Sequence, residues 1–375
     1  MPVSTGRSAR GIIARVARIA MVGILTVPSW MPATVASQTA TSQTRRSATK
    51  TDAVSAWKVP HTPWGHPDLQ GVWTTDAEVS VPLERPRELG ERAFLTEAEL
   101  NARRTLEQKL SRDDPADRDP RRLGPVGDGP EHWFEWGKQP SARTSLIVDP
   151  PDGRVPPFTA EAQHRPVVGS RVVGYGERAG STAGGPFNGP EDLSLADRCV
   201  TRGLPNIWFP QVYNNGFHIL QTPGYVAILY ERLHEIRLIP LDRRSHLTPR
   251  VRQWIGDSRG HFDGDTLVVD VTNFSDQTSF RRSGERLHLT ERYTRVDADT
   301  VRVEITLDDP TTWTRSWTAT VNGKKDPSYS QILEYACHEG NYSVANILRG
   351  ARAAEEAQKE NAGAVTATQG QAERP

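Results

Sequence analysis

Only two cysteines and three methionines occur among 375 residues, and neither charge sign is in excess. With 46 basic side chains against 46 acidic ones, the chain offers no strongly basic surface for nucleic acid. The same balance argues against an acidic tail or a polybasic membrane patch. Hydrophobic residues make up 36% and no apolar run approaches the roughly 20 residues of a membrane helix, so a bundle of spans is excluded. Long helices are scarce by composition as well: 30 Gly and 28 Pro suit turns and loops better than a helical bundle.

What is present begins with a leader. Arg7, Arg10, Arg15 and Arg18 precede the apolar stretch 19–27 without any acid, and Thr34-Val35-Ala36 supplies small residues. Basic, apolar and small residues in that order make 1–36 a secretory signal peptide. Pro28 and Pro32 break the apolar stretch, which is too short to serve as a permanent anchor. Removing the leader leaves 42 basic against 46 acidic side chains, a mildly acidic product exported to the periplasm or the exterior. Residues 37–56 lack an apolar period and read as a disordered spacer, as do 358–375 at the other end. In an oxidising compartment Cys199 and Cys337 are more often a disulfide than two free thiols. The alternative use is a nucleophilic thiol at Cys337, beside His338.

Between these ends, 57–357 reads as one β-rich domain with long loops. Thr96 and Glu99 form a capping box, with Leu95 and Leu100 as its staple, and open one surface helix with a narrow apolar stripe. Residues 111–130 cannot continue it. Further on the period is two: Val301, Val303, Ile305 and Leu307 alternate with Arg302, Glu304, Thr306 and Asp308. Strands are expected at 71–75, 144–148, 207–213, 217–221, 225–231, 236–241, 266–270, 287–296, 301–307, 313–320 and 331–336. Asp263-Gly264 marks a hairpin turn, and the glycines of 256–260 a tight loop feeding it. Val344, Ile347, Leu348, Ala351 and Ala354 give a C-terminal helix. Strands following strands predict a mainly β fold, an antiparallel barrel or sandwich.

Trp254-Ile255-Gly256-Asp257-Ser258-Arg259-Gly260 and the following Gly264-Asp265-Thr266-Leu267-Val268-Val269-Asp270-Val271-Thr272-Asn273-Phe274 form a signature. Pro67 to Trp73, Arg143 to Pro150, Leu287 to Tyr293 and Tyr335 to Tyr342 accompany it. Together they resemble a large uncharacterised family of exported bacterial proteins, with Phe262-Asp263 where that family usually has Trp-Glu. The resemblance implies relatives and no chemistry. Gly71-Val72-Trp73 also resembles the Gly-X-Trp that opens lipocalin-like barrels, which implies a calycin-like barrel plugged by Trp73.

Three constellations bear on chemistry. Gly256-Asp257-Ser258-Arg259-Gly260 matches a nucleophile elbow, with Asp270 and His288 in triad order, but a hairpin follows where the elbow requires a helix. His261, Asp263 and Asp265 alternate like metal ligands, yet the turn at Asp263-Gly264 interrupts their face, and no metal or cofactor is called for. More informative is 287–296, where Glu291 shares the apolar face of Leu287, Leu289 and Tyr293, with His288 and Arg292 opposite. At 225–231, Tyr225, Ala227 and Leu229 lead on one face to Glu231, with His234 and Arg237 close behind. Carboxylates among apolar neighbours suit a general acid or an anchoring acceptor, and equally a buried ion pair. Trp133, Trp136, Trp208, Trp313 and Trp317 serve either a hydrophobic site or core packing.

The leading expectation is a barrel holding a small apolar or aromatic ligand inside, contacted by Trp73, Tyr225, Arg237, Arg292 and Tyr293. The rival is a periplasmic lyase, isomerase or hydrolase using Glu231, His234, His288 and Glu291 for proton transfer. An envelope module without a pocket is the third class.

Overall fold

The computed structural model describes residues 57–112, 135–165, 187–278, 280–327 and 329–372. The leader, the spacer, most of the 111–130 loop, Trp133 and residues 166–186 lie outside the described residues.

Ten strands form one antiparallel sheet among the described residues: β1 (Gly71–Thr74), β2 (Ile147–Asp149), β3 (Gly216–Gln221), β4 (Tyr225–Tyr230), β5 (Ile236–Pro240), β6 (Asp257–Asp263), β7 (Thr266–Thr272), β8 (His288–Asp297), β9 (Thr300–Asp308) and β10 (Trp317–Lys324). Nine of them run in the order β5-β4-β3-β1-β10-β9-β8-β7-β6, and β2 pairs with β10 beside this path. The fold is therefore mainly β and antiparallel, as the alternating pattern requires.

No ladder joins the two ends of the path among the described residues. The edges nevertheless touch: Arg237 on β5 donates to Ser258 on β6 (2.8 Å), and a Cβ at Gly260 would stand 2.7 Å from Ile239. Arg237 meets Ser258 and Ile239 meets Gly260, so these edges run in the same direction, joined by the crossover 241–256. Gly260 is what lets them come so close. Gly323 plays a similar part in β10, where an added Cβ would lie 2.4 Å from the Phe217 ring.

Every second residue of β9, from Val301 to Leu307, is fully buried. In β8, Leu289, Glu291 and Tyr293 face the same interior while His288 and Arg292 face outward. Trp208 centres one aromatic cluster, edge-on to Phe217, Tyr230 and Tyr293 at 5.0, 5.1 and 5.6 Å. Phe209, Phe280, Trp313 and Trp317 make a second. Burying a Trp removes about 150–250 Å² from water, on the order of 4–6 kcal/mol as an upper bound.

Helix α1 (Glu97–Arg112) starts at the expected box: Thr96 N donates to Glu99 Oε2 (2.8 Å) and Glu99 N to Thr96 Oγ1 (3.3 Å). A short α2 (Ala160–His164) is capped by Thr159. Helix α3 (Ser343–Ala372) continues past Gln358, where the apolar period ends.

Four local readings are corrected. Residues 207–213 form no strand, because Pro205 and Pro210 bracket a single 3-10 turn at Asn206–Trp208. Residues 331–336 pair with no strand, and Leu333 is exposed. Residues 257–263 are a strand of the hairpin and not a loop feeding it. In β4 the buried face is Val226, Ile228 and Tyr230, leaving Tyr225, Ala227 and Leu229 outside. Every position of that strand is apolar, so its period could not choose a face.

Cys199 and Cys337 form a disulfide, with Cα atoms 5.8 Å apart across 138 positions of sequence. Closing so long a loop stabilises by about 4–5 kcal/mol in the chain-entropy treatment. It ties the segment leading into α3 to the loop before β3.

Candidate functional site

The residues singled out by sequence fall into three places. Glu291, Arg237, Tyr293 and Trp73 lie inside the sheet. There Glu291 accepts from Trp208 Nε1 (3.0 Å), Arg237 Nη1 (2.6 Å) and the Tyr293 hydroxyl (2.9 Å). Burial, then the charge of Glu291, holds the Tyr293 phenol well above its ordinary pKa. Carboxylate and guanidinium are both essentially inaccessible, so the pair must neutralise itself. Trp73 donates its indole hydrogen to Leu69 O (3.2 Å), with Arg295 and Lys325 over its ring at 5.6 and 5.1 Å. Beside Trp208, Phe217 and Tyr230 the open volume is about 10 Å³, the least that holds one water. At this point of the interior Trp208 packs against Phe217, Tyr230 and Tyr293.

Outside the sheet, His288 contacts the Asp270 carboxylate, and His246 reaches both Asp270 Oδ2 (2.8 Å) and Asp257 Oδ2 (2.9 Å). The His288 hydrogen bond holds the Asp270 carboxyl below its usual value, and the same bond raises the His288 imidazole. Ser258 points to the opposite face of the sheet, where its hydroxyl accepts from Arg237. The triad order in sequence thus places two members outside and the third inside, and the elbow is not formed. Arg292 lies outside too, 3.4 Å from Asp263, and Tyr225 is exposed.

The pairs expected to work together are apart. Glu291 and His288 face opposite sides of β8. Glu231 accepts from Gly216 N (3.2 Å) and from the Tyr329 hydroxyl, while His234 Nδ1 accepts from Tyr335 N (3.0 Å).

The room lies elsewhere. A cleft of about 860 Å³ opens on the outer face of β9 and β10, walled by 76–78, 137–143 and 326–327. At its floor Glu78, almost wholly buried, accepts from Asn322 Nδ2 (2.7 Å) and Asn322 N (3.1 Å), with Arg143 at 3.6 Å. Burial raises the Glu78 carboxyl, partly offset by the Arg143 charge. Arg143 is held in turn by Thr320 O (2.6 Å) and Leu146 O (2.7 Å). Arg302 and Glu304 project from β9 into the cleft without an ion-pair partner among the described residues. Phe94 and Val148, 63% and 43% exposed, add an apolar lip.

A carboxylate group stands at one end. Asp76 lines the cleft and accepts from Asn215 Nδ2 (2.9 Å). Glu135 accepts from Asn214 N (2.7 Å). Burial, then the charges of Asp76 and Glu231, pushes Glu135 up to about 7, and burial likewise raises Asp76. Sequence reasoning found Glu231 and missed Asp76, Glu78, Glu135 and Arg143. Their neighbours lie far away in sequence, as with Glu78 and Asn322, and no local period marks them.

No protein-family model matches the chain, and comparisons with curated proteins and with solved structures find no significant match. Among the described residues no helix is long and apolar enough to cross a membrane.

Proposed function

We propose that this is an exported binding protein, a member of the family its signature resembles, which holds a small molecule in the cleft over β9 and β10. The sheet is read as a calycin-like barrel left open along the β5–β6 seam, with its ligand carried outside because aromatic rings pack the inside around Trp208. The observation that carries this reading is the cleft itself: about 860 Å³ falls within the roughly 300–1,000 Å³ of small-molecule sites, and its polar floor is already fixed. Phe94 and Val148 suit an apolar or aromatic body. Arg302 and Glu304 suit a polar head that carries charge. The disulfide and the leader pattern support an oxidising compartment.

Native mass spectrometry of the secreted protein tests the proposal. A co-purifying small molecule is expected, lost or weakened in Arg302→Glu and in Asn322→Ala. An adduct that persists in both variants, or none across preparations, contradicts it.

A second reading, proton-transfer catalysis, draws on Glu135, whose elevated carboxyl beside Asp76 and Glu231 suits a group that exchanges protons near neutral pH. It replaces the separated Glu–His pairs as the acid–base candidate. Turnover of the co-purifying compound that Glu135→Gln abolishes while binding persists is its test.

A further inference from the structure

The crossover between β5 and β6 is an unusual surface for a chain with balanced charge. From Asp242 to Trp254 every residue except His246 is exposed. Leu247, Val251 and Trp254 stand 41%, 46% and 40% exposed within eight positions of sequence, a grouping rather than singly scattered surface apolar residues. Arg243, Arg244, Arg250 and Arg252 alternate with them along the same thirteen-residue stretch, whose single acid, Asp242, pairs with Arg244. Arg252 reaches Glu285 at 3.6 Å, but Arg243 and Arg250 have no carboxylate partner among the described residues.

The segment is nonetheless fixed in shape. Asn273, in the left-handed region at φ 59°, donates through Nδ2 to the carbonyls of Leu247 (3.0 Å), Thr248 (3.0 Å) and Val251 (3.1 Å). Leu247 N donates to Asp257 Oδ2 (2.9 Å), and Arg259 Nε to Ser245 O (3.0 Å). A connection held from beneath at five points spends its ordering entropy on displaying apolar tips between guanidinium groups. Arg244 also donates to the Tyr225 hydroxyl (3.2 Å), beside exposed Leu238, so the apolar surface extends onto the outer face of β4 and β5.

We propose that the 242–254 connection docks the protein on an anionic lipid surface. Charge complementarity selects the partner: unpaired arginines meet phosphate headgroups at the depth where Leu247, Val251 and Trp254 reach the acyl boundary. Among the acids that touch the segment, Asp242, Glu285 and Asp257 are engaged by Arg244, Arg252 and Arg259, which leaves Arg243 and Arg250 to meet the headgroups. The surface is separate from the cleft, so the two proposals stand or fall independently.

The test is co-sedimentation of the purified exported protein with phosphatidylglycerol–phosphatidylcholine vesicles and with pure phosphatidylcholine vesicles. Binding only to the anionic vesicles, weakened by added salt, is expected. Each unpaired arginine contributes about fivefold in affinity, so Arg243→Ala with Arg250→Ala loses roughly twenty-five-fold. Leu247→Ala with Trp254→Ala also weakens binding. Arg243 and Arg250 are exposed, so their variant keeps the parent's melting temperature, and the apolar variant, at 41% and 40% exposure, is assayed at a temperature where circular dichroism shows it folded. No sedimentation with anionic vesicles, equal binding to neutral ones, or unchanged binding by either double variant overturns the proposal.

Discussion

Glu291 is a fully buried carboxylate at the centre of a polar cluster inside the sheet. It takes hydrogen bonds from an indole, a guanidinium and a phenol, and all three donors are buried with it. Removing the carboxylate in Glu291→Ala leaves Arg237 charged without a counter-ion, which costs about 3–5 kcal/mol. Replacing both partners, as in Arg237→Met with Glu291→Leu, recovers most of that loss. Urea unfolding of the two variants checks the contrast. The Asp270–His288 contact behaves differently because it is half exposed. A carboxyl held below its unfolded value of 3.8 contributes stability that is lost as pH falls through the folded value. An imidazole held above 6.5 contributes below that pH and loses its share as pH rises through the folded value. The contact therefore stabilises most between about pH 4 and 6.5. Melting temperatures taken across this range for the parent and His288→Gln should diverge inside the window and converge on either side of it.

At the scale of elements, the seam between β5 and β6 decides how far the sheet can curl. Parallel edges without a ladder hold together by interleaved side chains, and Gly260 provides the space. In Gly260→Val the new methyl groups collide with Ile239 and Leu241, an overpacking cost of about 1–3 kcal/mol. A lowered urea midpoint, with amide exchange increased in β5 and β6 before β8 and β9, is the expected signature. Uniformly faster exchange would place the strain elsewhere. The sequence makes β8 and β9 legible because a half-buried strand must alternate, and the side assigned to Glu291, His288 and Arg292 follows from that alternation. The helix start at Thr96 is legible because its box is local. β4 is not, since six apolar residues carry no phase, and its chosen face depends on β3 and β5. The mistaken strands at 207–213 and 331–336 have strand-like composition, but proline turns or the lack of a pairing edge prevail.

For the whole molecule, sequence legibility ends at the site. A buried Glu–Arg pair at Glu291 is legible in the alternation of β8, whereas Arg237 as the partner is not, because it comes from β5. Nor is the cleft legible, because segments 76–78, 137–143 and 300–326 come together only once the sheet has formed. A core crowded with Trp and Phe leaves little space around Trp208, and the recess over β9 and β10 is external. The central claim is that the ligand lies in that recess, and a crystal structure of the protein purified from an exporting host tests it most directly. The account predicts electron density for a small molecule between Arg302, Glu304 and Asn322, with Trp208 still packed against Tyr293. Density inside the sheet with Trp208 displaced, or a recess filled by the protein's own side chains, would contradict it.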